Sequence, residues 1–200
     1  MLSAIKSNLR SRSRGMTVRH TVVGSPHRAR AETFVTDMFQ RHYDAELTSF
    51  APNLMLLEKD EGIAAVAGWR CAGTERLFLE NYLDVPVETA VSRLAGKPVD
   101  RQRIVEVGNL ASEARGGSVG VILTLAAHLD RLGFEWVVFT ATSELIGMLR
   151  RLGLPPLALA AADPERLGAD AGAWGSYYAT HPVVVAGRIR LALDRASLRG

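Results

Sequence analysis

The sequence holds a single cysteine, Cys71. A disulfide within the chain is therefore excluded, as is any cysteine-rich metal site. The five histidines, His20, His27, His42, His128 and His181, form no His-x-x-x-His pair, so no zinc motif is present and no metal is expected. Neither a Gly-x-Ser-x-Gly elbow nor a Walker phosphate loop occurs. No apolar run reaches the roughly 18 residues a membrane-crossing helix needs. The first 16 residues lack the apolar centre, roughly 7–15 residues long, of a secretory signal. The cytoplasm is the expected compartment.

Acid is missing from the first 31 residues, which carry Lys6, Arg10, Arg12, Arg14, Arg19, Arg28 and Arg30. The whole chain has a net charge of +3, so the remainder is mildly acidic. A disordered basic arm is expected over 1–15, followed by one folded domain over 16–200. Such an arm either touches an anionic partner or is a solvated terminus. An acidic carrier protein is one such partner. Membrane contact would rest on the arm alone, and nucleic acid is not an expected partner.

Thr17–Val23 alternates and is β-branched, which predicts a strand. Ser25-Pro26 opens a helix in which Ala31, Phe34, Val35, Met38, Phe39 and His42 recur at helical spacing. Leu54–Leu57 and Ile63–Cys71 read as a hairpin. Leu77–Leu83 fits strand or helix equally. Pro86 to Leu94 predicts a short helix. Strand Ile104–Leu110, helix Val119–Leu132, strand Trp136–Thr140 and helix Ser143–Arg151 follow, with Gly133 and Gly153 as helix stops. Residues 160–173 read as a loop or short helix, and Val183–Ile189 as a last strand. This order predicts an α/β domain with a mixed central sheet, partly parallel through its second half, and helices on both faces.

Glu106 is the most informative residue. A carboxylate among strand apolars is costly unless paired or used. Burial would raise its pKa and fit it for general-base work. The competing reading is a salt bridge to Arg101 or Arg103. The loop after this strand is glycine-rich and leads into a helix, where backbone N–H groups and the helix dipole favour an anion. Arg115 lies just upstream and would add a charged fork.

A strand, a glycine-rich loop with a basic residue and a helix resemble the GNAT acyltransferases, whose loop reads Gln/Arg-x-x-Gly-x-Gly/Ala. Arg115 and Gly120 match this pattern, and Ser118 replaces the middle glycine. Glu106 is similar to the glutamate in the Glu-x-Ser-Arg strand of acyl-homoserine-lactone synthases, with Gly108 and Asn109 in place of Ser-Arg. More of the chain resembles the bacterial thermostable hemolysin family: Ala45 to Leu57, Leu77 to Asp84, Glu106 to Ala111, Phe139 to Thr142 and Trp174 to Tyr178. The resemblance implies a single GNAT-like domain moving an acyl group to a small-molecule amine. The donor would be a coenzyme A thioester or the phosphopantetheine of an acyl carrier protein. Leu110, Arg115, Gly116, Gly117, Ser118 and Gly120 would hold that donor.

Other residues carry two readings each. Glu80 and Asp84 share a face on either a helix or a strand, and would hold an amine or form a solvated edge. Trp174, Tyr177 and Tyr178 would form a substrate lid, with Tyr177 protonating a leaving thiolate, or would pack on the sheet. Thr140 and Thr142 end a strand where α/β proteins bind ligands, or cap the next helix. Trp69 and Arg70, with Asn109, complete the expected substrate set. Two other functions compete with the enzyme: a membrane-active lytic protein, and a ligand-binding domain of the same fold without catalysis.

Overall fold

The computed structural model describes residues 17–59, 62–113 and 117–197; the expected arm lies outside them. Among the described residues the chain runs β1 (Thr17–Val22), α1 (Arg28–Tyr43), β2 (Asn53–Lys59), β3 (Gly62–Cys71), α2 (Val87–Ala95), β4 (Ile104–Ser112) and α3 (Gly117–Arg131). It continues through β5 (Trp136–Ala141), α4 (Ser143–Arg151), β6 (Leu157–Ala161), β7 (Val183–Arg188) and α5 (Ile189–Ser197). Short 3-10 segments at Phe78–Tyr82, Pro164–Trp174 and Tyr177–Thr180 fill the connections.

The strands form one mixed sheet in the order β1-β2-β3-β4-β5-β7-β6. The mixed sheet with helices on both faces is the architecture the sequence predicts. The expected parallel part is confined to one pair: only β4 and β5 run parallel. The reason is a strand that the sequence reading passed over. Strand β6 follows Pro155-Pro156 and takes the sheet edge. Strand β7 then inserts antiparallel between β5 and β6. Two further segments resolve. Leu77–Leu83, open between strand and helix, holds a short 3-10 helical turn at Phe78–Tyr82. The last strand ends at Arg188, and Ile189 begins a helix.

The two faces carry different cores. On one face α1 buries Ala31, Val35 and Met38 at helical spacing against Leu54, Leu56 and Val66. The 3-10 turn and α2 bury Leu77, Leu79, Val87 and Val91 against Ile104 and Val138. On the other face α3 buries Val121, Leu125 and Leu129, one residue per turn, against Leu57, Ala65 and Val105. Each large apolar side chain so buried contributes about 1.5–3 kcal/mol. Strand alternation assigns β4 accordingly: Ile104 and Glu106 face α2 and the 3-10 turn, while Val105 faces α3.

Candidate functional site

The sheet is split at its centre. Parallel pairing of β4 with β5 covers Ile104↔Trp136, Val105↔Val137 and Glu106↔Val138, and stops there. Both strands continue, β4 to Ser112 and β5 to Ala141. A bulge turns β4 away from its neighbour. Gly68 pairs with Gly108 and Val66 with Ala111, so three residues of β4 span two of β3. Asn109 supplies the turn with φ of 47°, a left-handed conformation that asparagine tolerates better than most residues. Its side chain accepts a hydrogen bond from the Ala51 amide at 2.8 Å. Gly68 is required opposite the bulge, because a Cβ there would lie 2.9 Å from the Cβ of Ala51 and from Leu54 Cδ2.

Glu106 sits at the apex of the split. It is 7% exposed. Its Oε2 accepts from the Phe78 amide at 2.8 Å and its Oε1 from the Leu79 amide at 2.9 Å. Arg70 Nε lies 3.5 Å from Oε2. Burial pushes the carboxyl above its ordinary value, against the opposing pull of Arg70 and the two amides. The expected partners Arg101 and Arg103 are corrected: Arg101 serves Glu80 and Glu88, and Arg103 lies 3.8 Å from Glu135. An ionised carboxylate has about four acceptor positions; the two amides occupy two of them, and Arg70 stands at ion-pair distance without a hydrogen bond.

The aromatic segment closes the same face. Tyr177 is buried beside Phe39, Tyr43, Trp174 and Tyr178. Its hydroxyl reaches the Thr140 carbonyl of β5 at 3.5 Å, the limit of a hydrogen bond. It also packs in one cluster with Ala111 of β4. Tyr177 therefore reaches β5 directly and shares a core cluster with β4. The Tyr82 and Tyr178 hydroxyls share a hydrogen bond of 2.5 Å. Burial raises the hydroxyl pKa values of Tyr82, Tyr177 and Tyr178, so all three stay protonated at neutral pH. Gly175 anchors the segment with φ of 52°, where a Cβ would strike the Tyr43 carbonyl at 2.0 Å.

Behind the split, on the α3 face, lies an apolar cavity of about 110 Å³. Val107 and Leu110 of β4 and Phe139 of β5 line it. Val107 and Phe139 are the first residues on each arm beyond the last pair. Helices α3, α4 and α5, the connection at Leu154 to Pro156 and β7 at Gly187 form most of the rest.

The other sequence candidates separate. Trp69 and Arg70 face opposite sides of β3. Trp69 is 3% exposed against α3, with its ring 4.7 Å from His20 and 5.3 Å from His128. Glu80 and Asp84 do not face one opening. Glu80 caps the 3-10 turn through the Leu77 and Val87 amides and grips Arg101 Nη1 at 2.7 Å and Nη2 at 2.8 Å. Burial raises its pKa, but Arg101 and those amides outweigh this and bring it to about 2. Asp84 is largely exposed and paired with Arg166 at 2.7 Å. Thr142 caps α4 by accepting from the Leu145 amide at 3.3 Å. Trp174 packs 5.5 Å from Phe78. Arg115 and Gly116 lie outside the described residues. Gly117 and Ser118 open α3, and a Cβ on Gly120 would meet Leu57 at an ordinary 3.5 Å. Sequence reasoning missed Tyr82 and Phe139: one lay in an ambiguous segment, the other looked like any core residue. Among the described residues no group of three or more His, Cys, Asp or Glu side chains converges to hold a metal ion, and no helix is long and apolar enough to cross a membrane.

Solved structures share this fold. The N-acyl amino acid synthase FeeM from uncultured soil microbes superposes with a TM-score of 0.59 at 13% identity, covering 90% of this chain and 96% of that one. The acyl-homoserine-lactone synthase LasI gives 0.60 at 15%, covering 90% and 94%. BjaI, a coenzyme A-dependent acyl-homoserine-lactone synthase solved with S-adenosylmethionine and isopentyl-coenzyme A, gives 0.63 at 14%, covering 92% and 89%. At such identities the likeness establishes the fold, that of GNAT-like acyltransferases. No curated protein matches the chain by sequence. The family model described as Thermostable hemolysin matches residues 22–193, and with most of its length so matched the chain belongs to the thermostable hemolysin family.

Proposed function

We propose that this chain is an N-acyltransferase that moves an acyl group from a thioester donor to the amine of a small molecule. The observation that carries the reading is the split between β4 and β5, which opens directly after a buried glutamate of raised pKa. A thioester carried on pantetheine, whether of coenzyme A or of an acyl carrier protein, fits between strand ends that no longer pair. Gly117 to Gly120, at the start of α3, suit the phosphate end of either donor. Both donors are cytoplasmic, and the reading places the protein there.

The residues divide the work as follows. Glu106 uses acceptor capacity that the two amides leave open to take a proton from the attacking amine, directly or through one water. The extra residue of the β4 bulge, left out of the ladder, offers backbone polarity to the oxyanion as the nitrogen–carbon bond forms. The carbon–sulfur bond then breaks, and Tyr177 supplies a proton to the departing thiolate. Arg70 keeps Glu106 oriented. Trp174 and Tyr178 cover the acceptor. The likeness to acyl-transferring synthases supports the transferase reading as a whole without naming the acceptor.

The test is release of free thiol from acyl-coenzyme A or acyl carrier protein with a panel of amines and amino acids, with N-acyl products identified by mass spectrometry. Amine-dependent thiol release with a matching amide product is expected. Donor binding without any product would replace the enzyme with a ligand-binding domain. Dye release from anionic vesicles by the protein alone would favour direct membrane lysis; none is expected.

A further inference from the structure

We infer that the cavity behind the split is the seat of the acyl tail, and that the group transferred is a linear hydrocarbon chain longer than acetyl. This rests on the transferase reading but is tested separately. Protein interiors are packed too closely to leave a space of about 110 Å³ without consequence. Here the walls come from Val107, Leu110, Phe139, Leu125, Leu149 and Ile189. An apolar cavity of this kind repels water and accepts hydrocarbon.

Three features tie the cavity to the donor. It is lined by Val107 and Phe139, the first residues after the central strands part. It lies on the α3 face, while Glu106 and the tyrosines occupy the other. A thioester held in the split would therefore present its carbonyl to Glu106 and send its tail behind the sheet. Small residues also line the cavity. Ala126 and Gly187 leave room that larger side chains would fill, and a Cβ on Gly187 would still lie 3.8 Å from Val137 Cγ1.

Each methylene transferred from water to such walls is worth about fourfold in affinity. S-octanoyl-pantetheine and S-acetyl-pantetheine carry the part common to both donors, and their binding to the full chain is measured by calorimetry. The octanoyl compound should bind at least about 100-fold more tightly. Gly187→Val and Ala126→Leu, which fill the cavity from β7 and α3, should each reduce that preference at least about tenfold while leaving the acetyl compound unchanged. Equal binding of the two compounds overturns the inference. So does a preference that survives both substitutions in folded protein. Acetyl transfer without chain preference would keep the enzyme and remove the tail pocket. Chain-dependent binding without any product would do the reverse.

Discussion

Two carboxylates hold the Phe78–Tyr82 turn from opposite sides, and they have been driven in opposite directions. Glu80 accepts from two backbone amides and from both Nη atoms of Arg101, and its pKa falls to about 2. Glu106 also accepts from two backbone amides, yet its pKa rises. The difference lies in burial and in the arginine. Arg101 meets Glu80 at 2.7 Å, while Arg70 stands 3.5 Å from the deeply buried Glu106. Desolvation wins where the countercharge is loose and loses where it is tight. A carboxylate fully served by its neighbours is a structural fastener. One left with an acceptor position and a raised pKa, beside a split sheet, is equipped to take a proton.

The sharpest way to break this contrast is to neutralise each carboxylate. Glu106→Gln should lower the rate of amide formation by about 100-fold or more in folded protein, measured by thiol release below the variant's melting temperature. It also turns an amide N–H toward donors, so some loss of stability is expected. Next in size, Tyr177→Phe should slow the same reaction by less than about 100-fold, because a thiolate leaves with little protonic help. Glu80→Gln should act on stability: denaturant titration should show a loss of about 1–3 kcal/mol, after allowing for the partial exposure of Arg101, with far less change in rate per folded molecule. Acid adds the finest distinction. Glu80 has a lowered folded pKa, so its stabilisation is present above 4.5 and is lost as pH falls from 4.5 through about 2. Glu106 has the opposite sign, and its burial penalty is relieved as pH falls through its raised pKa. Glu80→Gln should therefore flatten the acid limb of a stability–pH curve.

The elements legible in the sequence were those whose pattern is local. The helix periodicity of Ala31, Val35 and Met38, the β3 run and the Gly133 stop all lie within one element. Strand β6 was not legible, because Leu157–Ala161 carries no alternation or β-branching, and its place between sheet edge and β7 is set by tertiary pairing. Glu106 was conspicuous because charge is rare among strand apolars. Its partner Arg70 lies 36 positions earlier in sequence and meets it only through the β3–β4 register. Glu80 and Asp84 were misleading for a related reason: even spacing puts residues on one face of a strand, and a 3-10 turn places them otherwise. The tail cavity left no sequence signal, since Val107, Phe139 and Leu149 are ordinary core types until the sheet parts between them.

The most direct measurement is amide hydrogen exchange with and without saturating S-octanoyl-pantetheine. The account predicts slowed exchange at Val107–Ala111 and Phe139–Ala141, the two arms of the central strands that do not pair with each other. Saturation that leaves both arms unchanged, or protects only the outer strand β1, would contradict it.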